Sequence, residues 1–259
     1  MKIYGLTDKG TQREYNEDSI GIFSESGISV CVVCDGMGGA VGGKVASELA
    51  KNTFLEYVRE EIKEKKGSVS QKDAKEILKY AIDTANRKVT ERAEENPSLD
   101  GMGCTLCAVM YLCKTGKMLS ANVGDSRLYR ITQRKIEQLT KDHSYVQYLL
   151  DIGEISEEEA EDHPQKNLIT RAVGIDETVD ADIKNIRIPA LGNTYFLLCS
   201  DGLHGMISDG EIKDIVLSDA DTKEKTARLI KSANEAGGYD NISAILISVN
   251  EKNGEEQGK

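Results

Sequence analysis

The chain predicts an α+β fold in which helices cover the outside of a β-sandwich, and three observations lead there. Short β-branched runs follow one another through tight links such as Lys114-Thr115-Gly116, as antiparallel hairpins do and parallel crossovers do not. Segments with helical apolar spacing come in pairs, segregated from the strands. Only three prolines and no tryptophan occur in 259 residues, which suits long unbroken elements.

Taken in order, Lys2 to Thr7, Ser19 to Phe23 and Ile28 to Cys34 read as strands from their β-branched content and turn-like separators. A long helix follows, with Val41, Val45, Leu49, Phe54, Tyr57, Val58 and Ile62 at helical spacing. A second runs from Gln71 to Asn96 on a stripe of Ala74, Ile77, Leu78, Ala81, Ile82, Ala85 and Val89, and Pro97 ends it. Strands return at Thr105 to Cys113, Met118 to Val123, Arg127 to Thr132 and Lys135 to Leu139. The polar stretch from His143 to Thr170 predicts two short helices, the second opening on the capping-box pattern Ser156-Glu157-Glu158-Glu159. Strands near Ile183 to Ile188 and Thr194 to Cys199, helices near Asp209 to Leu217 and Lys223 to Glu235, and a strand from Ile242 to Val249 complete the body. With no internal repeat or linker, residues 1–249 read as one domain, and 250–259 as a disordered tail.

Composition excludes some functions. A net charge of −11 disfavours a nucleic-acid binder, which needs a basic face to displace counterions. No apolar run approaches the ~20 residues of a membrane span, and Met1-Lys2-Ile3-Tyr4-Gly5 lacks a signal peptide's apolar stretch. The expectation is a cytoplasmic protein with no membrane or nucleic-acid partner. Two cysteine pairs have CxxC spacing, Cys31/Cys34 and Cys104/Cys107, but both lie in apolar strand-like runs. Residues three apart on a strand point to opposite faces, so these read as buried core thiols rather than zinc ligands.

The chemistry sits at strand ends. Cys31-Val-Val-Cys34 runs into Asp35-Gly36, and Phe196-Leu-Leu-Cys-Ser200 into Asp201-Gly202. Asp125 follows Val123-Gly124, Asp240 precedes the strand from Ile242, and Glu17-Asp18 lead into the second strand. Asp-Gly alone is a common turn dipeptide. Together, however, carboxylates at the ends of buried strands risk costly desolvation unless a counter-charge meets them. Few basic residues adjoin them, apart from Arg13 and Arg127, so magnesium or manganese is the natural partner of an all-oxygen set. A glycine after the aspartate also lets its carbonyl come close to an ion.

At these residues the chain resembles the metal-dependent protein phosphatases of type 2C, particularly their bacterial serine/threonine members. The motifs run in that family's order: Arg13-Glu-Tyr-Asn-Glu-Asp18; Val33-Cys-Asp35-Gly-Met-Gly-Gly39; Gly103-Cys-Thr105; Asn122-Val-Gly-Asp125-Ser-Arg127; Asp142-His-Ser144; Ile169-Thr-Arg-Ala-Val-Gly174; Cys199-Ser-Asp-Gly-Leu203; and Tyr239-Asp-Asn-Ile-Ser243. The resemblance implies a four-layer αββα sandwich, two antiparallel sheets flanked by helix pairs. It makes Arg13, Asp35, Asp201 and Asp240 the catalytic set. Two Mn2+ or Mg2+ ions would be held by Asp35, the Gly36 carbonyl, Asp201 and Asp240, with Glu17 and Asp18 supporting them. Asp125, with Asp201, would hold a third ion, Arg13 would grip the phosphate, and residues 143–171 would form a flap.

The implied activity is hydrolysis of phosphoserine and phosphothreonine by direct attack of a metal-bridging hydroxide, on phosphorylated proteins, by a monomer opposing a serine/threonine kinase. Many eukaryotic members have histidine at the position of Met37, where it protonates the leaving oxygen; methionine cannot. His143, His163 and His204 are not expected to replace it. A rival reading takes Gly38 to Lys44 as a nucleotide-binding loop of the G-x-x-x-x-G-K type. Val45 lacks the magnesium-binding hydroxyl, and the hairpins disfavour the parallel sheet such a loop needs. A second keeps the fold as a metal-binding pseudophosphatase, although every expected ligand is present.

Overall fold

A computed structural model describes residues 1–189 and 192–249; the tail expected at 250–259 lies outside the described residues. The elements are β1 Lys2–Asp8, β2 Ser19–Glu25, β3 Ile28–Cys34, β4 Gly36–Met37, α1 Gly39–Glu64, α2 Gln71–Glu95, β5 Gly103–Cys104, β6 Leu106–Leu112, β7 Lys117–Val123, β8 Arg127–Ile131, β9 Ile136–Gln138, α3 Tyr145–Asp151, α4 Glu157–Glu161, β10 Asp182–Ile186, β11 Thr194–Cys199, α5 Asp201–His204, α6 Asp209–Leu217, α7 Thr222–Glu235 and β12 Ile242–Val249. The strands form two five-stranded antiparallel sheets, β1-β12-β11-β8-β9 and β10-β7-β6-β3-β2, plus the small pair β4-β5.

Strand alternation builds three cores. Along β3, Val30, Val32 and Cys34 pack under α1 and α2, whereas Cys31 and Val33 point into the seam between the sheets. Along β11, Tyr195, Leu197 and Cys199 pack under α6 and α7, while Phe196 and Leu198 enter the same seam. The expected helix–sheet–sheet–helix layering follows. The cysteines obey the same rule, since Cys34 and Cys104 face the helices and Cys31 and Cys107 the seam. All four are buried free thiols.

Helix α2 buries its whole expected stripe and is closed at its start by a Ser70–Asp73 capping box. Helix α1 differs from expectation at one position. Its buried face is Ala46, Ala50, Phe54, Val58 and Ile62, while Val41 is 63% exposed. In the first turn, the side next to the sheet is occupied instead by Gly42 and Gly43, which let backbone approach backbone.

The links between strands matter more to function than their lengths suggest. β6–β7 and β8–β9 are hairpins, as expected. β7 and β8 are not paired, because Gly124-Asp125-Ser126 carries the chain from one sheet to the other. The two short helices lie where the polar stretch predicts them, and Ser156 and Glu159 close their capping box.

Candidate active site

Antiparallel pairing decides where the carboxylates meet. β3 ends where β2 begins and where its parallel neighbour-but-one, β7, also ends. β11 ends where β12 begins. Asp35, Asp201, Asp240, Glu17 and Asp125 therefore gather at one end of the sandwich, around a cavity of about 470 Å³ that Arg13, Gly36, Met37 and Thr105 also line. Asp18 lies beneath, 7% exposed.

Backbone and hydroxyl groups fix this floor. The Asp35 amide donates to Thr105 Oγ1 at 2.9 Å, and the Thr105 amide returns a bond to the Asp35 carbonyl at 2.8 Å. Ser126 Oγ, beside Asp125, lies 2.7 Å from Thr105 Oγ1. Ser200 Oγ donates to Asp18 Oδ2 at 2.7 Å and accepts from the Ser243 amide at 3.0 Å. Asn241 secures the amino-terminal loop. Its Oδ1 accepts from the Glu17 amide at 2.8 Å, and its Nδ2 donates to the Lys9 and Tyr15 carbonyls at 2.9 Å each. Thr105, Ser200, Asn241 and Ser243 have no role in the sequence reading. Their signal was small polar residues beside carboxylates at strand ends.

The glycines after two of the aspartates have a packing role. A Cβ on Gly36 would lie 2.1 Å from the Gly43 carbonyl oxygen and 2.5 Å from that of Glu17. A Cβ on Gly202 would lie 2.1 Å from the Asn241 carbonyl oxygen. Gly38 and the first turns of α1 are thus the seat of the β3 strand end, and Lys44 is exposed. An antiparallel sheet precedes it, which removes the nucleotide-loop reading.

Electrostatics fit the floor to cations. Burial pushes Asp35 well above the usual carboxylate range, with Asp18, Asp201 and Asp125 adding repulsion. Burial raises Asp18 to about 8. Burial, then Asp201, raises Asp125 to about 7. Asp201 and Glu17 also rise, mainly through burial. Among the described residues, Glu17 Oε1, Asp18 Oδ1 and Asp201 Oδ1 are buried oxygens with no hydrogen-bond partner. Orphaned carboxylate oxygens cost free energy unless a cation meets them, and an all-oxygen set suits magnesium or manganese. The residues fit such ions. Among the described residues no three such side chains already form a finished cation cage. Asp240 is engaged instead by Arg13, whose Nη2 donates to Oδ2 at 2.7 Å.

His143 and His204 sit beside this floor without lining it, and His163 packs against Tyr145 instead. His143 Nδ1 accepts from the Gly124 amide at 3.1 Å, and its own amide donates to the Gly124 carbonyl at 3.0 Å. His204 Nε2 lies 3.2 Å from the Asp125 carbonyl oxygen. Burial drives the His204 pKa well down, so the imidazole is neutral and donates there. Both histidines hold the Asp125 turn.

The sequence model of protein phosphatase 2C matches residues 9–246. The serine/threonine phosphatase stp of Listeria welshimeri is 38% identical over 245 residues, 94% of each chain. The structure of serine/threonine phosphatase Stp1 from Staphylococcus aureus superimposes with a TM-score of 0.85 at 34% identity, covering 96% of this chain and 95% of that one. The catalytic domain of serine threonine protein phosphatase PstP, in complex with 2 manganese ions, gives a TM-score of 0.78 at 30% identity, covering 96% and 98%.

Proposed function

Since this chain belongs to the protein phosphatase 2C family, we propose how its own residues carry that family's chemistry. The protein is a metal-dependent serine/threonine protein phosphatase, a hydrolase of phosphoesters that acts on phosphorylated proteins. One observation supports the residue assignment most: Glu17 and Asp201 carry buried, partnerless carboxylate oxygens and line one cavity together with Asp35, Asp125 and Asp240.

In this reading Asp35, the Gly36 carbonyl, Asp201 and Asp240 hold two Mn2+ or Mg2+ ions, as two manganese ions are present in the PstP structure. Asp125 and Asp201 hold a third. When bound, the cations make water nucleophilic at neutral pH and shield the phosphate's charge. Arg13 leaves Asp240 and places its fork on two phosphate oxygens. Glu17 and Asp18 support the cations, Asp18 being oriented by the Ser200 hydroxyl. Thr105 holds the Asp35 backbone in place, and Asn241 fixes the loop that carries Arg13. Water attacks phosphorus directly, with no covalent phosphoenzyme. The cysteines beside Asp35 and Asp201 are buried under the helices and are not nucleophiles. Met37 lines the cavity without a proton to give, and no histidine lines it among the described residues.

The same reading makes residues 1–249 a single phosphatase domain whose flap spans residues 143–171, acting as a cytoplasmic monomer opposite a serine/threonine kinase. No helix among the described residues is long and apolar enough to cross a membrane. Whether it opposes a kinase broadly or serves one stress or sporulation regulator is answered by comparing phosphoproteomes with and without the gene. The catalytic assignment is tested by dialysing the protein free of metal. Hydrolysis of p-nitrophenyl phosphate and of a phosphothreonine peptide should vanish in chelator and return with manganese or magnesium. Full activity in excess chelator would overturn it.

A further inference from the structure

The acidic floor has an apolar rim. Tyr15, Met37 and Ile169 line the same cavity as Arg13 and the carboxylates. Tyr15 is 54% exposed, and next to the lining residues lie Leu168, beside Ile169 in the chain and 49% exposed, and Ile175, against Met37 and 45% exposed. Scattered exposed apolar residues need no explanation, but a group around one charged cavity does.

These side chains come from separate segments, and each segment is tied down. The Tyr15 carbonyl accepts from Asn241 at 2.9 Å. The Leu168 carbonyl accepts from the Tyr145 amide at 2.8 Å, and Ile169 bridges to Ser144 across the flap base. Ile175 and Met37 meet over Gly103, each with a carbon within 3.0 Å of where its Cβ would lie. The rim is therefore a shaped wall, continuous with the catalytic cavity.

A phosphoserine or phosphothreonine side chain is only a few bonds long. With its phosphate on the floor, the substrate's main chain must enter the mouth, and its neighbouring side chains must touch this wall. Resting on the phosphatase reading above, we propose that the rim selects phosphoprotein segments with large apolar side chains beside the phosphorylated residue. Acidic neighbours are disfavoured, because they lose that contact and meet Glu14, which lines the same cavity.

The test uses the full chain with manganese and two phosphothreonine peptides, identical except for leucine or aspartate on both sides of the phosphothreonine. The wild type should favour the leucine peptide by on the order of tenfold or more in kcat/KM. Tyr15→Ser and Ile169→Ser should each shrink that ratio toward unity, and Tyr15→Phe should keep it. A ratio is unaffected by a general loss of active protein, and the wild-type ratio alone decides the matter if a variant fails to fold. Equal rates on both peptides, preference for aspartate, or an unchanged ratio in both serine variants would overturn the inference. Turnover of p-nitrophenyl phosphate separates the two readings. If it is present while the peptides are treated alike, only the rim is refuted; if it is absent with manganese, the phosphatase assignment fails and the rim with it.

Discussion

Arg13 Nη2 lies 2.7 Å from Asp240 Oδ2, so the side chain assigned to phosphate rests on a carboxylate assigned to metal. Both partners are well exposed, 48% and 36% at their side chains, and an exposed pair of this kind is weak. In the proposed assignment Arg13 would leave Asp240 when a cation takes its place and turn to the phosphate.

Arg13→Ala should lower kcat/KM by about 1.5–3 kcal/mol, roughly ten- to a hundredfold, mostly through KM. Manganese affinity, measured by titration calorimetry, should stay the same or tighten, because Asp240 is no longer occupied. Unchanged kinetic constants would remove Arg13 from the phosphate site. Weaker manganese binding would show that the ion pair assists metal instead of competing with it.

Asp35→Asn and Asp240→Asn should each abolish turnover while the protein remains folded. Asp35→Asn should also raise the thermal midpoint of the metal-free protein, because a neutral amide replaces a buried group that Asp18, Asp201 and Asp125 repel. Circular dichroism melting in chelator checks the second part. Native rates at saturating manganese in both variants would contradict the assignment.

Metal-free stability should fall as pH rises. Asp18 has an ordinary value of 3.8 and is raised to about 8 in the fold. Between those values the folded chain binds more protons than the unfolded one, so the contribution is whole below 3.8 and is lost as pH climbs toward 8. The buried histidines act oppositely, which makes a variant the cleaner comparison. Asp18→Asn should stabilise the metal-free protein more at pH 8.5 than at pH 5.5, by thermal melting. A gain that is equal at both pH values, or larger in acid, would show that Asp18 is not held protonated.

Asp125→Ala should leave two tightly bound metals by calorimetry but sharply reduce turnover. The defect should be larger on a phosphothreonine peptide, whose alkoxide leaving group needs a proton, than on p-nitrophenyl phosphate, whose leaving group needs little. Equal defects would assign Asp125 a positioning role, and wild-type rates on both substrates would take it out of the site.

The sequence alone determined the elements and their chemistry. Continuous β-branched runs such as that around Cys31-Val-Val-Cys34 and the α2 stripe are local patterns, and local composition and spacing state which segment is a buried strand and which helix face is apolar. The same spacing settled that the CxxC pairs straddle their strands, and strand-end aspartates announced an acidic site. Even where α1 departs from expectation, at Val41, the neighbouring Gly42 and Gly43 were visible. What they pack against was not.

The tertiary structure decided everything that depends on which strand lies beside which. Asp35 and Asp240 are more than 200 positions apart in the chain, and only the antiparallel order of two sheets brings their strand ends together. It also decided that Gly124 to Ser126 crosses between sheets, carrying Asp125 into the floor instead of around a hairpin. Asn241 and Ser200 gained their roles in the same way, through bonds to Tyr15 and Asp18 across long stretches of sequence. The physical reason is range. Side-chain periodicity is set by neighbours in the chain, but desolvation, repulsion between carboxylates and the pairing of Arg13 with Asp240 arise only when distant segments share one buried volume.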